Sequence, residues 1–544
     1  SGAVLAGGLG SSLSLGGTTV QVDTNVVLPG GAISIKATTG DLTVNGRLDA
    51  SGTSKRFHDV TKFTGGGEIQ LASTQGDVVL NKDSVVDVAA PAGGGDAGTL
   101  RISVPKGDFV SKGTILGKGG AGGKNGSFEL DVADLASLSA LSGKLISASL
   151  TESQTIRVRN GDVTVDGLVR ANDFTLSADR GSITVTNTID ASGVTGGSIH
   201  LVANGNLTTE SGSKLTVAAQ KFSNAGKGGS VTLEAGAQRD GIVGDGVLSI
   251  EEGSRIDLSV AEKIAGDVST LGSSASKGQF SGKLHLRAPQ IGNDLRVSKL
   301  DGTIVDASSI VVEGYKLYDL TSTRGTITTA VQNQIKNDAT AFLGANGSAN
   351  ANYTAITQRL LAKNAGLESV LVLAPGAEII NREGNLTLGS SSSTQAADWD
   401  LSGFRFGAKG AAGVLTMRAS GDLVFYNALS DGFTPTLASS DPSWLWTARL
   451  ATYNAALPAN AQTWSYRLSA GADLSAADFA DTLASDQLAA GAGSLKLGKT
   501  GTNLASGTGS SATTLSAITN RFQTIRTGSG DIEVNAARSV QFLN

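Results

Sequence analysis

Hydrophobic and polar residues alternate along this chain in short runs, and each run ends in a glycine-containing turn. In the stretch GGAISIKATTGDLTVNGRLDASG, Gly30 to Gly52, the residues Ile33, Ile35, Leu42, Val44 and Leu48 fall on one face, while Ser34, Lys36, Thr43 and Asn45 fall on the other. The period of two predicts strands, and the runs are too short and too often broken by turns for helix. A unit of this kind has one dry side and cannot bury it alone, so the next unit must cover it.

Related units recur: GGGEIQLASTQGDVVLNKDSVVDVAA from Gly65, DFTLSADRGSITVTNTIDASG from Asp173, GGSIHLVANGNLTTESGSKLTVAA from Gly196 and GGSVTLEAG from Gly228. Later echoes are GNLTLGS at Gly384, GDLVFYN at Gly421 and GDIEVNA at Gly530. Stacking such units in parallel gives an all-β solenoid with roughly 20 to 25 residues per coil and about 4.8 Å between coils, a stiff rod on the order of 100 Å long. Gly40, Gly76, Gly161, Gly181, Gly205, Gly384, Gly421 and Gly530 stand at the corners, where positive φ is expected, and the Asp or Asn after them is expected to bond to local backbone.

Three stretches depart from the pattern and divide the chain. Coils are expected over 1–327, with a short helix near 132–145 where Leu135, Leu138, Leu141 and Leu145 take helical spacing. Residues 328–368 carry two helical patterns, Val331, Ile335, Phe342 and then Ile356, Leu360, Leu361, which predict an α-helical hairpin insertion. Coils resume over 369–430. Residues 431–490, rich in Ala, Ser and Trp and lacking the two-residue period, predict a side excursion, and coils continue over 491–544.

Composition narrows the class. With 73 Gly but only 8 Pro in 544 residues, collagen is excluded, and 40% hydrophobic with 17% charged residues is too apolar for a disordered chain. Cysteine is absent, which removes disulfides, zinc-thiolate sites and cysteine nucleophiles. The net charge of −5 provides no basic field for nucleic acid. The opening SGAVLAGGLGSS lacks the basic region of a signal peptide, so export signals are expected outside this stretch.

Several segments resemble the filamentous-haemagglutinin-like large exoproteins of the two-partner secretion type. They are IRVRNGDVTVDG (Ile156 to Gly167), FSNAGKGGSVTLEAG (Phe222 to Gly236), KLHLRAPQ (Lys283 to Gln290), ASSIVVEGYKLYDL (Ala307 to Leu320), DWDLSGFRFGAKGAAGVLTMRASGDLVFYNALSDGF (Asp398 to Phe433), WSYRLSAGADLSAADF (Trp464 to Phe479) and IRTGSGDIEVNAARSVQFLN (Ile525 to Asn544). The resemblance implies a right-handed parallel β-helix with small helical and loop insertions. It also implies secretion through an outer-membrane β-barrel transporter to the surface of a Gram-negative bacterium, and a role in adhesion, aggregation or biofilm. The family's N-terminal secretion domain has no counterpart in this sequence.

Candidate chemistry is sparse. Asp49, Asp87, Asp190, Asp257 and Asp306 follow an apolar residue in RLDAS, VVDVA, TIDAS, RIDLS and IVDAS, and can line one edge of the stack as turn caps or, less simply, as a carboxylate ladder for Ca²⁺ or sugar chemistry. His200 and His285 sit at matched strand positions, and His58 stands apart. GKGGAGGKNG (Gly117 to Gly126) lacks the spacing of a phosphate loop. No catalytic residue, cofactor site or metal ligand is assigned. Trp399, Trp444, Trp446, Trp464 and Tyr466 concentrate in one third of the chain and form the candidate binding surface, for sugar rings or a partner protein, unless they pack the excursion onto the rod.

The expected function is that of a secreted adhesin or structural exoprotein, not an enzyme. Its expected partners are a host or neighbouring cell surface, a polysaccharide, or other copies in a fibre, with no nucleic acid. The alternatives are a β-helix polysaccharide-degrading enzyme and the stalk of a contact-dependent toxin delivery protein. The face assignment has a direct test: replacing Ile35 or Val44 by Asp should destabilise the chain by several kcal/mol, because a buried charge is left unpaired. An unchanged melting profile would refute it.

Overall fold

A computed structural model describes residues 4–223, 227–262, 282–391, 397–433, 462–498 and 524–543. The protein is mostly β, with 44% of residues in strands and 9% in helices, and the strands form long parallel sheets of an all-β, solenoid-like kind. The chain divides into two compact units, residues 1–235, 246–285 and 299–310 in the first, and 236–245, 286–298 and 311–544 in the second.

In the first unit each repeat, except the one that holds a helix, gives one strand to a long parallel sheet and one to each of two short-strand sheets, which are separate before and after that helix. The sheet of longer strands runs from Ser12–Gly17 through Ala32–Ala37, Glu68–Ser73, Thr99–Val104 and Ser127–Val132 to Ser153–Val158, Asp173–Ala178, Ser198–Ala203 and Ser230–Glu234. The register is unbroken, so Leu15, Ile35, Leu71, Ile102, Leu130, Ile156, Leu176, Leu201 and Leu233 form one inward column, buried from Ile35 onward. Ile33, Leu42, Val44 and Leu48 are buried as well, as the period of two requires.

Helix α1, Leu138–Ser147, lies in the coil that starts at Ser127–Val132 and takes the place of its two short strands. Its start is fixed by Ser137, whose hydroxyl accepts from Ala140 N at 3.1 Å, so the helix begins later than the leucine spacing suggests. Leu138, Leu141 and Leu145 turn inward and keep the core filled where strands are missing.

The second unit repeats the arrangement. Leu371–Asn381, Val414–Ala419, Ser465–Ala470 and Ile532–Ala536 pair in parallel, and shorter strands Leu386–Leu388, Leu423–Phe425, Leu495–Gly498 and Val540–Leu543 pair beside them. Helices α2, Thr329–Leu343, and α3, Ala351–Leu360, occupy the segment between strands, capped by Thr328 and Asn350. Every residue of Leu371–Asn381 is buried, and α2 packs on it, with Ile335, Ala339, Phe342 and Leu343 its buried residues.

Two expectations need correction. The excursion over 431–490 is too long, because Ser465–Ala470 is a full member of the long-strand sheet. Tyr466, Leu468 and Ala470 alternate inward there, a period hidden by the Ala- and Ser-rich text around it. Residues 434–461 of that stretch lie outside the described residues. The corner glycines also serve a different purpose from the one expected. Of the eight, only Gly161 and Gly384 have positive φ, at 76° and 123°. The others are required by close approach: a side chain at Gly181 would run into the carbonyl of Gly161, one at Gly76 into Gly40 and Asp41, and one at Gly421 into Gly384 and Asn385.

At several of these corners the Asp or Asn after the glycine bonds to the next coil. Asp41 accepts from Asp77 N at 2.9 Å, Asp77 from Asp108 N at 2.8 Å, Asp162 from Ser182 N at 2.8 Å and Asn385 from Asp422 N at 2.7 Å. Gly181→Ala should therefore lower stability by ~1–3 kcal/mol through overpacking. Gly143→Ala, in α1 with open space around it, should raise stability by ~0.5–1 kcal/mol. Urea melts of the two variants check this, and shifts of the same sign would contradict it.

Candidate functional site

Of the two readings open for the aromatic residues, binding surface or packing, the described ones take the second: they are core residues. Trp399 is 2% exposed, Trp464 0% and Tyr466 1%, while Trp444 and Trp446 lie outside the described residues. Trp464 packs edge-on against Phe404 and Phe406, and its indole N–H donates to Phe404 O at 2.9 Å. Trp399 meets Phe404 in the same way. The reason is volume: in this part of the second unit bulky rings fill the interior that Ile and Val fill elsewhere.

Beside these rings lies a buried ion pair. Arg405 donates twice to Asp431, at 2.8 and 3.0 Å, and also to Leu401 O and Phe404 O, while Asp431 accepts from Trp464 N at 2.7 Å. Burial raises the Asp431 carboxyl above its ordinary range despite the guanidinium beside it. Burial likewise lowers Arg526 to about 10.

A second buried network joins Arg287, Glu313, Glu378 and Arg418, all of them inside the second unit. Arg287 reaches Glu313 at 3.0 Å and Glu378 at 2.5 Å, and its guanidinium lies 3.9 Å from the ring centroid of Tyr315. Arg418 bonds to Glu378 at 3.4 Å and to the carbonyls of Asp473, Ala476 and Asp478. These charges tie the loop 471–480 to the sheet. In the sequence they are single charges in apolar strands such as TMRA and GAEII, a pattern that does not tell a buried charge from a solvent-facing one.

The aspartate row is only partly a row. Asp49 and Asp87 are register partners bridged by Arg47, but Thr216 stands between Asp190 and Asp257, and Val305 takes the place expected of Asp306. Each of the four paired aspartates accepts the N–H two residues on, from Ser51, Ala89, Ser192 and Ser259, so they cap turns. Burial works to raise these carboxyls. In Asp49, Asp190 and Asp257 the serine and arginine donors outweigh it and hold them below the usual range, whereas Asp87, facing Asp49, stays above it. His200 contacts the buried Glu234 at 3.1 Å. Among the described residues no group of three or more His, Asp or Glu is placed to hold a metal ion, and no helix is long and apolar enough to cross a membrane.

One described feature stands out from the stack, inside the stretch 1–327 expected as coils. Ser54–Phe57 and Val60–Phe63 form an antiparallel hairpin between Gly52 and Gly65, the only two-stranded sheet among the described residues. Every residue from Thr53 to Phe63 is exposed. The base is closed by Thr64 N donating to Thr53 O at 2.9 Å and Thr53 N donating to the Thr64 hydroxyl at 2.8 Å. Phe63 lies over Gly93 and Gly94, where any side chain would meet its ring. At the tip, His58 adopts φ 54°, and its carbonyl accepts from Arg56 Nε at 2.9 Å. The signal available in the sequence was SKRFHDVTKF, three cations and two phenylalanines inserted between two Gly-led units.

Compared with protein-family models, with curated proteins and with solved structures, the chain matches none of them.

The buried pair gives a test with a pH signature. Arg405→Met should cost ~3–5 kcal/mol at neutral pH, since Asp431 is left buried and unpaired. A native carboxyl raised above the unfolded value of about 4 takes up a proton before the unfolded chain does, so the deficit should shrink as pH falls from 7 toward 5. Thermal melts across that range check it, and a deficit constant with pH would contradict the assignment.

Proposed function

We propose that this chain is a right-handed parallel β-helix from a large secreted exoprotein of the filamentous-haemagglutinin-like kind, acting at the surface of a Gram-negative bacterium in adhesion, aggregation or filament formation. The observation that carries the reading is the unbroken parallel register from coil to coil, Leu15 to Leu233 in one inward column, with backbone hydrogen bonds running from each repeat to the next. Such a stack resists extension because stretching it breaks many bonds at once.

The role is mechanical and not enzymatic. The polar groups of the stack are used in holding coils together: Arg101 bridges Glu68 and Glu129 on successive strands, and Arg159 grips Asp131 at 2.6 Å. Features that leave the stack, such as the hairpin Ser54–Phe63, supply recognition. Delivery through an outer-membrane β-barrel transporter belongs to the same proposal and rests on the sequence resemblance.

Negative-stain microscopy and a bead assay test it together. Purified protein should appear as narrow elongated particles, single or joined in fibres, and beads coated with it should adhere to cells or to extracellular polysaccharide. Compact separate globules, or steady turnover of an acidic polysaccharide, would overturn the reading.

A further inference from the structure

Antiparallel register divides the hairpin into two faces. Lys55 lies directly opposite Lys62 and Phe57 opposite Val60, so these four share one face, and Ser54, Arg56, Thr61 and Phe63 share the other. Phe63 packs over Gly93 and Gly94, which turns its face toward the stack and the Lys55 face outward.

That outward face has an unusual composition for an exposed hairpin. Like charges directly opposite each other across a strand pair are destabilising, and Lys55 and Lys62 are placed so. The adjoining row is apolar, with Phe57 52% and Val60 47% exposed. The Lys55 ammonium lies 5.5 Å from the centre of the Phe57 ring, which brings cation and ring to one spot. The rows are two residues, or about 7 Å, apart, on the scale of one sugar residue. An anion between the lysines relieves their repulsion, and a flat apolar surface beside it suits the C–H face of a sugar ring.

We propose that the hairpin Ser54–Phe63 binds a uronate-bearing polysaccharide, with Lys55 and Lys62 holding the carboxylate and Phe57 and Val60 carrying the ring. The chain as a whole has a net charge of −5, so a polyanion is repelled elsewhere and drawn to this local cluster of three cations around one carboxylate, Asp59. Asp59 at the tip disfavours the other apolar-plus-basic occupant, an anionic bilayer, because the tip would have to enter it first. The hairpin is anchored at its base and tip, so little order has to be acquired on binding. The choice of a polysaccharide among polyanions rests on the proposed surface role, whereas the preference of this face for a carboxylate beside a ring does not.

Titration calorimetry of the whole 544-residue chain with polygalacturonate, dextran sulfate and neutral dextran tests the proposal. Polygalacturonate should bind and neutral dextran should not. The double variant Lys55→Gln, Lys62→Gln should weaken polygalacturonate binding by about tenfold or more. Phe57→Ser should weaken it by about threefold or more. A control that removes the same charge from exposed sites elsewhere in the unit, Lys82→Gln with Lys112→Gln, should bind as the parent does. All these side chains are exposed, and an unchanged melting curve verifies the fold of each variant.

The proposal is overturned if the parent does not bind polygalacturonate, or if the two double variants weaken it equally. It is also overturned if dextran sulfate binds as well as polygalacturonate and Phe57→Ser changes neither, which would mark a bare cationic patch. Failure here leaves the narrow particles and bead adhesion of the surface reading untouched. Compact particles with intact polygalacturonate binding would sink that reading and spare the hairpin.

Discussion

The constraint on which this structure depends is parallel pairing between successive repeats without a shift of register. Parallel strands about 4.8 Å apart bring the same position of every repeat into one column, so a residue is chosen for its neighbours above and below as much as for its own strand. A column of branched apolar side chains then packs with itself, and Leu71, Ile102 and Leu130 are buried for that reason. The same rule applies to the corners. Turns stacked at strand spacing leave no room for a Cβ, which is why Gly40, Gly76 and Gly107 succeed one another and why most of them need no special φ.

Polar groups follow the same rule. An aspartate or asparagine after the corner glycine points along the stack and accepts the backbone N–H of the next repeat, as Asp41, Asp77 and Asp162 do. Bonds of this kind satisfy turn donors that have no strand partner, so the corners are tied as the strands are. Where a coil loses its short strands, α1 fills the gap with Leu138, Leu141 and Leu145, and the sheet of longer strands continues beside it. In the second unit the interior is filled in addition by Trp399, Trp464 and the Arg405–Asp431 pair.

Strand alternation was legible in the sequence because it is written in single residues: the faces of Ile33 to Leu48 follow from a period of two. The purpose of the glycines was not, since positive φ and close approach select the same residue and only coordinates separate them. Buried charges were missed because a charge in a strand ordinarily marks the solvent side, and nothing local tells that a loop such as 471–480 comes back to cover Arg418. Ser465–Ala470 was hidden in the same way, by composition around it and not by its own alternation.

The aromatic residues and the hairpin both mark places where the repeat is interrupted. A Trp and Tyr cluster allows either a binding surface or packing from inside, and in a repeating stack its rarity marks a place filled from inside, as Trp464 is. A sequence insertion between two Gly-led units cannot join the stack, since no neighbour shares its register, and so SKRFHDVTKF has to leave it. In a fold built on identical columns, recognition is therefore to be sought where the repeat is interrupted by added residues, and core repair where it is interrupted by enlarged ones.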